Sequence, residues 1–132
     1  MKKHLVSHIA IYLLSAVMIF FGIYHLKYPE DMMKYAYIPT NLPNPLLLVR
    51  IVGIVFILAA LSFIFNKFVK IAAYLLAAML LSFAFIFHLD IYRNAGSDEL
   101  KVNALINILK DTALAAFALH IAGSADSHGM KF

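Results

Sequence analysis

The stretch Asn103-Ala-Leu-Ile-Asn-Ile-Leu-Lys-Asp111 opens an otherwise apolar run that is long enough to cross a bilayer. On an α-helix its two asparagines, Lys110 and Asp111 follow at i, i+4, i+7 and i+8, so their side chains share one face. A lysine or an aspartate that faced lipid near the helix centre would each cost on the order of 3 kcal/mol. The stretch therefore predicts a membrane-spanning helix whose polar face looks inward, at protein, water or a ligand.

The composition of the whole chain predicts a polytopic membrane protein. Of its 132 residues, 64% are hydrophobic and only 14% are charged, whereas a soluble domain has about 25% charged residues. The net charge of +4 is modest and its lysines are scattered, which predicts no nucleic-acid partner. The absence of cysteine excludes disulfide exchange, thiolate catalysis and iron–sulfur ligation.

Four apolar runs predict a single all-α domain over residues 1–132, an antiparallel bundle of four transmembrane helices. The helices are expected at about residues 5–26, 46–65, 69–89 and 100–122, and the tail 123–132 is expected to be disordered. The first run is longer than the apolar region of a signal peptide, so it is interpreted as a retained helix. Ser97, followed by two acids, predicts an N-cap for the fourth helix.

Between the first two helices, residues 29–45 are predicted to form a loop, with Pro29 ending the first helix and Pro45 beginning the second. The segment 32–37 is amphipathic, so it is expected either to lie on the membrane surface or to cap the bundle. The third helix is rich in small residues that allow close packing in lipid, namely Ala72, Ala73, Ala77, Ala78 and Ala84.

An up-down bundle brings the polar residues of different helices to one side of the membrane. We predict a candidate ligand pocket between the helices there, formed by His25, Arg50, His88, Asp90, Asn103, Asn107, Lys110 and Asp111. Positive and negative charges nearly cancel in this set, which favours a mostly neutral polar ligand over an ion. No metal site is predicted, because the histidines and aspartates come from different helices without ligand-type spacing.

Each of these residues also has a purely structural interpretation. The two histidines lie near helix ends, where water is close enough to satisfy an imidazole. Arg50 either extends its head to the interface or pairs with Asp90 or Asp111, and we expect the ion pair. Lys110 lies about 15 Å into its helix, where it either serves only as a counterion or handles a ligand or proton.

Orientation follows from the distribution of basic residues. Lysines are packed into short segments on the side that carries both termini, whereas the other side has a similar number spread more widely. The positive-inside rule then predicts that both termini are cytoplasmic, in a bacterial cytoplasmic membrane.

The pattern resembles the DoxX-like family of small four-helix integral membrane proteins. The resemblance is carried by Gly22-Ile-Tyr-His25, the proline-rich loop 29–45, Gly53-Ile-Val-Phe-Ile-Leu, the Asn66-Lys67 turn and the alanine-rich third helix, and it extends over roughly residues 11–122. The family often has a glutamate three residues before the second-helix glycine, and here that position is Arg50. The resemblance implies a bacterial membrane protein, and some relatives are linked to quinone-coupled oxidation of sulfur compounds or to membrane complexes against oxidative stress.

Three functions are compatible with these observations. The first is a small subunit associated with quinone-linked redox chemistry, or one that binds another small lipophilic ligand, with a quinone as cofactor. The second is a non-catalytic scaffold or accessory protein of a larger complex, and the third is a transporter, although transporters usually have more helices or repeats. The residues form no complete catalytic constellation, so any electron carrier is expected on a partner redox enzyme. The remaining expected contacts are the lipid bilayer and further copies of this chain.

Overall fold

The computed structural model describes residues 2–36, 38 and 41–125, and for residues 2–4 it describes the backbone alone. Its helices are α1 (Lys2–Lys27), α2 (Pro29–Tyr35), α3 (Pro45–Phe65), α4 (Val69–Ser82), a π-helical segment (Phe83–His88), α5 (Leu89–Arg93) and α6 (Asp98–Ser124). Helix α4, the π-helical segment and α5 form one continuous rod, Val69–Arg93, called the α4–α5 rod below. Four helices are long and apolar enough to cross a membrane, so the prediction of an all-helical polytopic membrane protein is confirmed.

Three of the four long helices extend beyond their predicted ends, whereas α3 ends at Phe65 as predicted. The third predicted helix, 69–89, continues to Arg93, where Asn94 donates to the backbone oxygen of Asp90 at 3.0 Å. The last helix begins two residues earlier than predicted, and its predicted cap is confirmed because Leu100 N–H donates to Ser97 Oγ at 3.2 Å. It also continues through Gly123 to Ser124, so the predicted start of the tail is wrong. The disorder predicted for the rest of that tail, residues 126–132, lies outside the described residues.

The segment after α1 is not entirely a loop as predicted. Pro29 ends α1, as expected, but it also starts the short helix α2, where Glu30 and Asp31 occupy the first turn. Proline suits a first helical position because its missing N–H has no helical partner there, and acidic side chains interact favourably with a helix N-terminus. Helix α2 packs on α1 and α3, so it caps one end of the helices.

The long helices pack mainly as two pairs, α1 with α3 and the α4–α5 rod with α6. A short turn joins α3 to α4, and its Asn66 and Phe68 adopt left-handed backbone conformations with φ of 54° and 55°. Ala73, Ala77 and Ala84 are buried as expected for a close-packing helix, whereas Ala72 is half-buried and Ala78 exposed.

Helices α1 and α3 approach closely at two glycines, Gly22 and Gly53. A Cβ atom on Gly22 would lie 2.8 Å from the Gly53 carbonyl oxygen, and one on Gly53 would lie 2.8 Å from the Gly22 carbonyl oxygen. The backbones therefore touch, as small residues permit between helices in lipid. The same crossing sets the position of His25, whose Cβ would lie 2.7 Å from a Cβ on Gly53.

Candidate functional site

The buried polar side chains of the described residues are those of Ser15, His88, Asn107 and Asp111. Ser15 is satisfied within its own helix, because its hydroxyl donates to the Ile11 carbonyl at 2.8 Å. The other three come from the α4–α5 rod and from α6, which pack against each other. Because polar groups inside a membrane need partners, their convergence marks the candidate site.

A close polar contact joins His88 of the α4–α5 rod to Asp111 of α6. Nε2 of His88 lies 3.3 Å from Oδ2 of Asp111, and each side chain is only 7% exposed. Lys110 supplies a second partner, with Nζ 3.7 Å from Oδ1 of Asp111. The buried carboxylate therefore has polar partners on two sides, as a buried charge requires.

A chain of side-chain hydrogen bonds follows one face of α6. Asn107 Nδ2 donates to Asn103 Oδ1 at 3.0 Å, and Lys110 Nζ donates to Asn107 Oδ1 at 3.3 Å. The lysine ammonium also lies 5.2 Å from the ring centroid of Phe21 on α1, a cation–π distance. The face predicted from the i, i+4, i+7 and i+8 spacing thus looks inward as expected.

His88 occupies the last position of the π-helical segment Phe83–His88. The N–H of Leu89 bonds to the carbonyl of Ala84, five residues earlier, instead of four. A π turn rotates the following side chains by roughly one residue, about 100°, relative to an uninterrupted α-helix. Such turns are frequent at functional sites, and no glycine or proline in this run signalled it.

A cavity of about 390 Å³ lies between the helices beside this cluster, on the side capped by α2. Most of its walls are apolar or aromatic, and they include Phe21 of α1, Met32 and Tyr35 of α2, Val49, Val52 and Phe56 of α3, Met79, Phe83 and Phe87 of the α4–α5 rod, and Leu114 of α6. The structure brings five of the predicted site residues to it, namely His25, His88, Asn107, Lys110 and Asp111. An apolar cavity with a few convergent polar groups is typical of small-molecule sites.

His25 enters the cavity from α1. Its Nδ1 is hydrogen-bonded to the carbonyl oxygen of Phe21, one turn earlier. Its ring packs edge-on against two phenylalanines, with centroid distances of 6.5 Å to Phe21 and 5.5 Å to Phe56. These contacts hold the ring in one orientation.

The other three predicted residues lie apart from the cavity. Asn103 is hydrogen-bonded to Asn107 but does not line the cavity. Asp90 is exposed and accepts a 3.0 Å hydrogen bond from Asn94. Arg50 is exposed beside a second, smaller depression of about 260 Å³, which Lys27, Tyr28, Pro29, Glu30 and Asp31 also line.

The expected ion pair of Arg50 with Asp90 or Asp111 is therefore wrong. In the described part of the chain, Arg50 makes neither contact, and Asp111 pairs with His88 and Lys110 instead. Neighbouring residues point about 100° apart around a helix, and it is Val49 that α3 turns inward. A long arginine near a helix end then extends its head towards water, which is the alternative considered from the sequence.

Comparison with known proteins identifies the family to which the chain belongs. A sequence profile of the family described as DoxX matches residues 9–89, a range that contains His25 and His88 but ends before α6. No curated protein and no solved structure matches the chain. Because the matched range covers more than half of the 132 residues and four helices have the length and apolarity to cross a membrane, the chain belongs to the DoxX family and is an integral membrane protein.

Proposed function

We propose that this DoxX family member binds a small lipophilic ligand of the quinone or quinol class in the cavity. The observation that carries the proposal is the cavity itself, whose apolar walls end at His25, Lys110 and the His88–Asp111 pair. Its volume of about 390 Å³ falls within the range of known ligand pockets, roughly 300–1,000 Å³. A substituted ring with an alkyl tail matches apolar walls that meet polar groups on one side.

The charges around the cavity favour a neutral ligand. Lys110 and Asp111 are the oppositely charged residues that line it, and they lie 3.7 Å apart. Their charges cancel, so an ion entering the cavity would lose its hydration without gaining a net counter-charge. A neutral ring with oxygen substituents needs only hydrogen bonds.

Redox chemistry in such a complex needs a partner. The chain has no cysteine, so thiolate chemistry and cysteine-ligated iron–sulfur clusters are excluded within it. We therefore place the electron carrier on a redox enzyme that associates with this protein, alone or with a second copy of the chain. In this assignment the DoxX protein holds the lipophilic redox partner within the bilayer.

The proposal includes an orientation. We infer that all four helices long and apolar enough to cross the membrane do so, which puts both ends of the chain on the same side. We place that side in the cytoplasm of a bacterial cell, because its lysines are concentrated in short segments, as the positive-inside rule requires. The cavity then lies in the outer leaflet, beneath α2.

Titration of the detergent-purified protein with a decyl-chain benzoquinone and its quinol tests the binding. Val52 lines the cavity and Val17 is 45% exposed on the outer face of α1, which offers a matched pair of substitutions. We expect saturable binding by the wild type and by V17F, and its loss in V52F, because a phenylalanine at position 52 fills the cavity. Equal binding by V52F and V17F, or no binding by the wild type, contradicts the proposal.

The scaffold hypothesis has one observation in its favour, since the His88–Asp111 contact fastens the α4–α5 rod to α6. A purely structural His88–Asp111 pair does not require a cavity beside it, however. Helices that served only as a scaffold could pack closely and leave no cavity there. Mass spectrometry of organic extracts from the gently purified protein separates the two functions. A copurified lipophilic ring compound that is lost from V52F supports binding, whereas extracts with membrane phospholipid alone support the scaffold.

A further inference from the structure

Both histidines at the cavity already use one ring nitrogen. Nδ1 of His25 is bonded to the Phe21 carbonyl, and Nε2 of His88 lies 3.3 Å from the Asp111 carboxylate. A carbonyl only accepts hydrogen bonds, so Nδ1 of His25 carries the hydrogen. A neutral imidazole has one N–H, and its other nitrogen is then an acceptor.

This assignment defines what His25 offers to a ligand. Its Nδ1 is turned towards the backbone of α1, so Nε2 lies on the side of the ring away from that backbone. Within the described residues, no backbone or side-chain group bonds to Nε2, while the ring itself lines the cavity. His25 therefore presents a hydrogen-bond acceptor, not the donor that a quinone carbonyl needs.

A donor that also lines the cavity lies on α6. Lys110 Nζ has three N–H groups and contacts two oxygens, Asn107 Oδ1 at 3.3 Å and Asp111 Oδ1 at 3.7 Å. The ammonium also lies 5.2 Å from the Phe21 ring centroid, but one N–H has no oxygen partner among the described residues, and 40% of the lysine side chain is exposed. The cavity thus has an acceptor on α1 and a donor on α6.

His88 contributes no second ligand contact of this kind. Its Nδ1 is the one buried side-chain nitrogen or oxygen without a hydrogen-bond partner among the described residues, and it has almost no accessible surface. His25 Nε2, and not His88 Nδ1, is therefore the histidine nitrogen available to a ligand in the cavity.

We infer that His25 makes the cavity selective for a ligand that carries a ring hydroxyl, which donates to Nε2 of His25 while a ligand oxygen accepts from Lys110. The inference rests on the proposed function and specifies its ligand as the reduced, quinol or phenol form. A quinone carbonyl only accepts, so it satisfies Lys110 and leaves the His25 nitrogen without a partner. Leaving one acceptor unsatisfied weakens binding by about tenfold.

A pair of matched probes tests the hydroxyl requirement. 4-Hexylphenol donates a hydrogen bond, whereas 1-fluoro-4-hexylbenzene has nearly the same shape and does not. Their affinities are measured by titration calorimetry in one detergent for the wild type, H25F and H120F. Phenylalanine at position 25 keeps a ring against its aromatic neighbours, and His120 is an exposed histidine outside the cavity.

We expect the preference for the phenol over the fluoro compound to be about tenfold larger in the wild type than in H25F, with H120F like the wild type. Comparing variants removes the difference in detergent partitioning between the probes. Equal preferences in wild type and H25F, with both probes bound, overturn the inference and leave the proposed function standing. No binding of either probe by the wild type overturns the proposed function, and the inference with it.

A measurement on the wild type alone covers the case in which H25F does not fold. Nitrogen-15 NMR of ring-labelled histidine reports whether each nitrogen carries a hydrogen. We expect Nε2 of His25 to be unprotonated and its resonance to shift with the phenol and not with the fluoro compound. A protonated Nε2 in the wild type overturns the inference.

Discussion

Nε2 of His88 lies 3.3 Å from Oδ2 of Asp111, and this contact joins the end of the π-helical segment to the middle of α6. Both side chains are 7% exposed, so each polar group has little access to water. In a membrane interior such a pair stabilises the fold only while both partners are present. The contact therefore couples the stability of the helix packing to the chemistry of the adjacent cavity.

Replacing only His88 should be more harmful than replacing both partners. H88F leaves the Asp111 carboxylate with Lys110 alone, and we expect a loss of about 3 kcal/mol in the free energy of unfolding. The double variant H88F/D111L removes the stranded charge and should recover a substantial part of that loss. Equilibrium unfolding in mixed micelles measures the unfolding free energies of H88F, D111L and the double variant. If the effect of the double variant equals the sum of the two single effects, His88 and Asp111 are not energetically coupled.

The substitution K110M separates ligand binding from stability. Because Asp111 loses one of its two partners but keeps its contact with His88, we expect a loss of about 1–3 kcal/mol in folding free energy. Binding of the decyl quinol should weaken by about tenfold, since the ligand loses its donor. K101M is the matched control, because Lys101 lies over the Tyr92 ring at 5.0 Å and does not line the cavity. Severe unfolding of K110M without any ligand bound by the wild type would favour a structural lysine.

Alanine at the helix crossing should destabilise the protein. A Cβ at Gly53 would lie 2.8 Å from the Gly22 carbonyl oxygen, and backbone cannot move aside as a flexible side chain can. We expect G53A to cost about 1–3 kcal/mol in unfolding free energy. Gly123 is the control, because a Cβ there meets nothing within 4 Å, and G123A should be neutral or slightly stabilising in its helix. Equal stability of the two variants would show that the crossing is looser than described.

Arg50 should contribute little to stability or ligand affinity. It is exposed and does not line the cavity, so we expect R50Q to change the free energy of unfolding by less than about 0.5 kcal/mol. Affinity for the decyl quinol should stay at the wild-type value. A marked loss of stability or of affinity would indicate that Arg50 forms the ion pair with Asp90 or Asp111 that the structure does not show.

Topology is tested separately from the site. With both termini cytoplasmic, a C-terminal fusion to a reporter that is active only in the periplasm should be inactive. A fusion to a cytoplasmic reporter should be active in the same cells. The reverse pattern would show that both termini are periplasmic and that the cavity lies in the inner leaflet.

The sequence by itself determined the four spans and the inward face of α6, because both depend on local quantities. Hydropathy is summed along the chain, and the spacing of Asn103, Asn107, Lys110 and Asp111 defines a helix face once a helix is assumed. The cost of exposing Lys110 or Asp111 to lipid then selects the direction of that face. The Ser97 cap was predictable for the same reason, since its bond to Leu100 N–H spans three residues.

Only the tertiary structure decided which side chains on different helices meet. The crossing at Gly22 and Gly53 sets how α1 rests on α3, and the π turn before His88 changes the face that the α4–α5 rod presents to α6. Arg50 is directed outward although it directly follows Val49, which lines the cavity together with Asp111. The rotation of a helix about its own axis is set by packing against its neighbours, and that packing involves residues far apart in sequence. For this reason only five of the eight predicted residues line the cavity, and the pairing of His88 with Asp111 was not predictable.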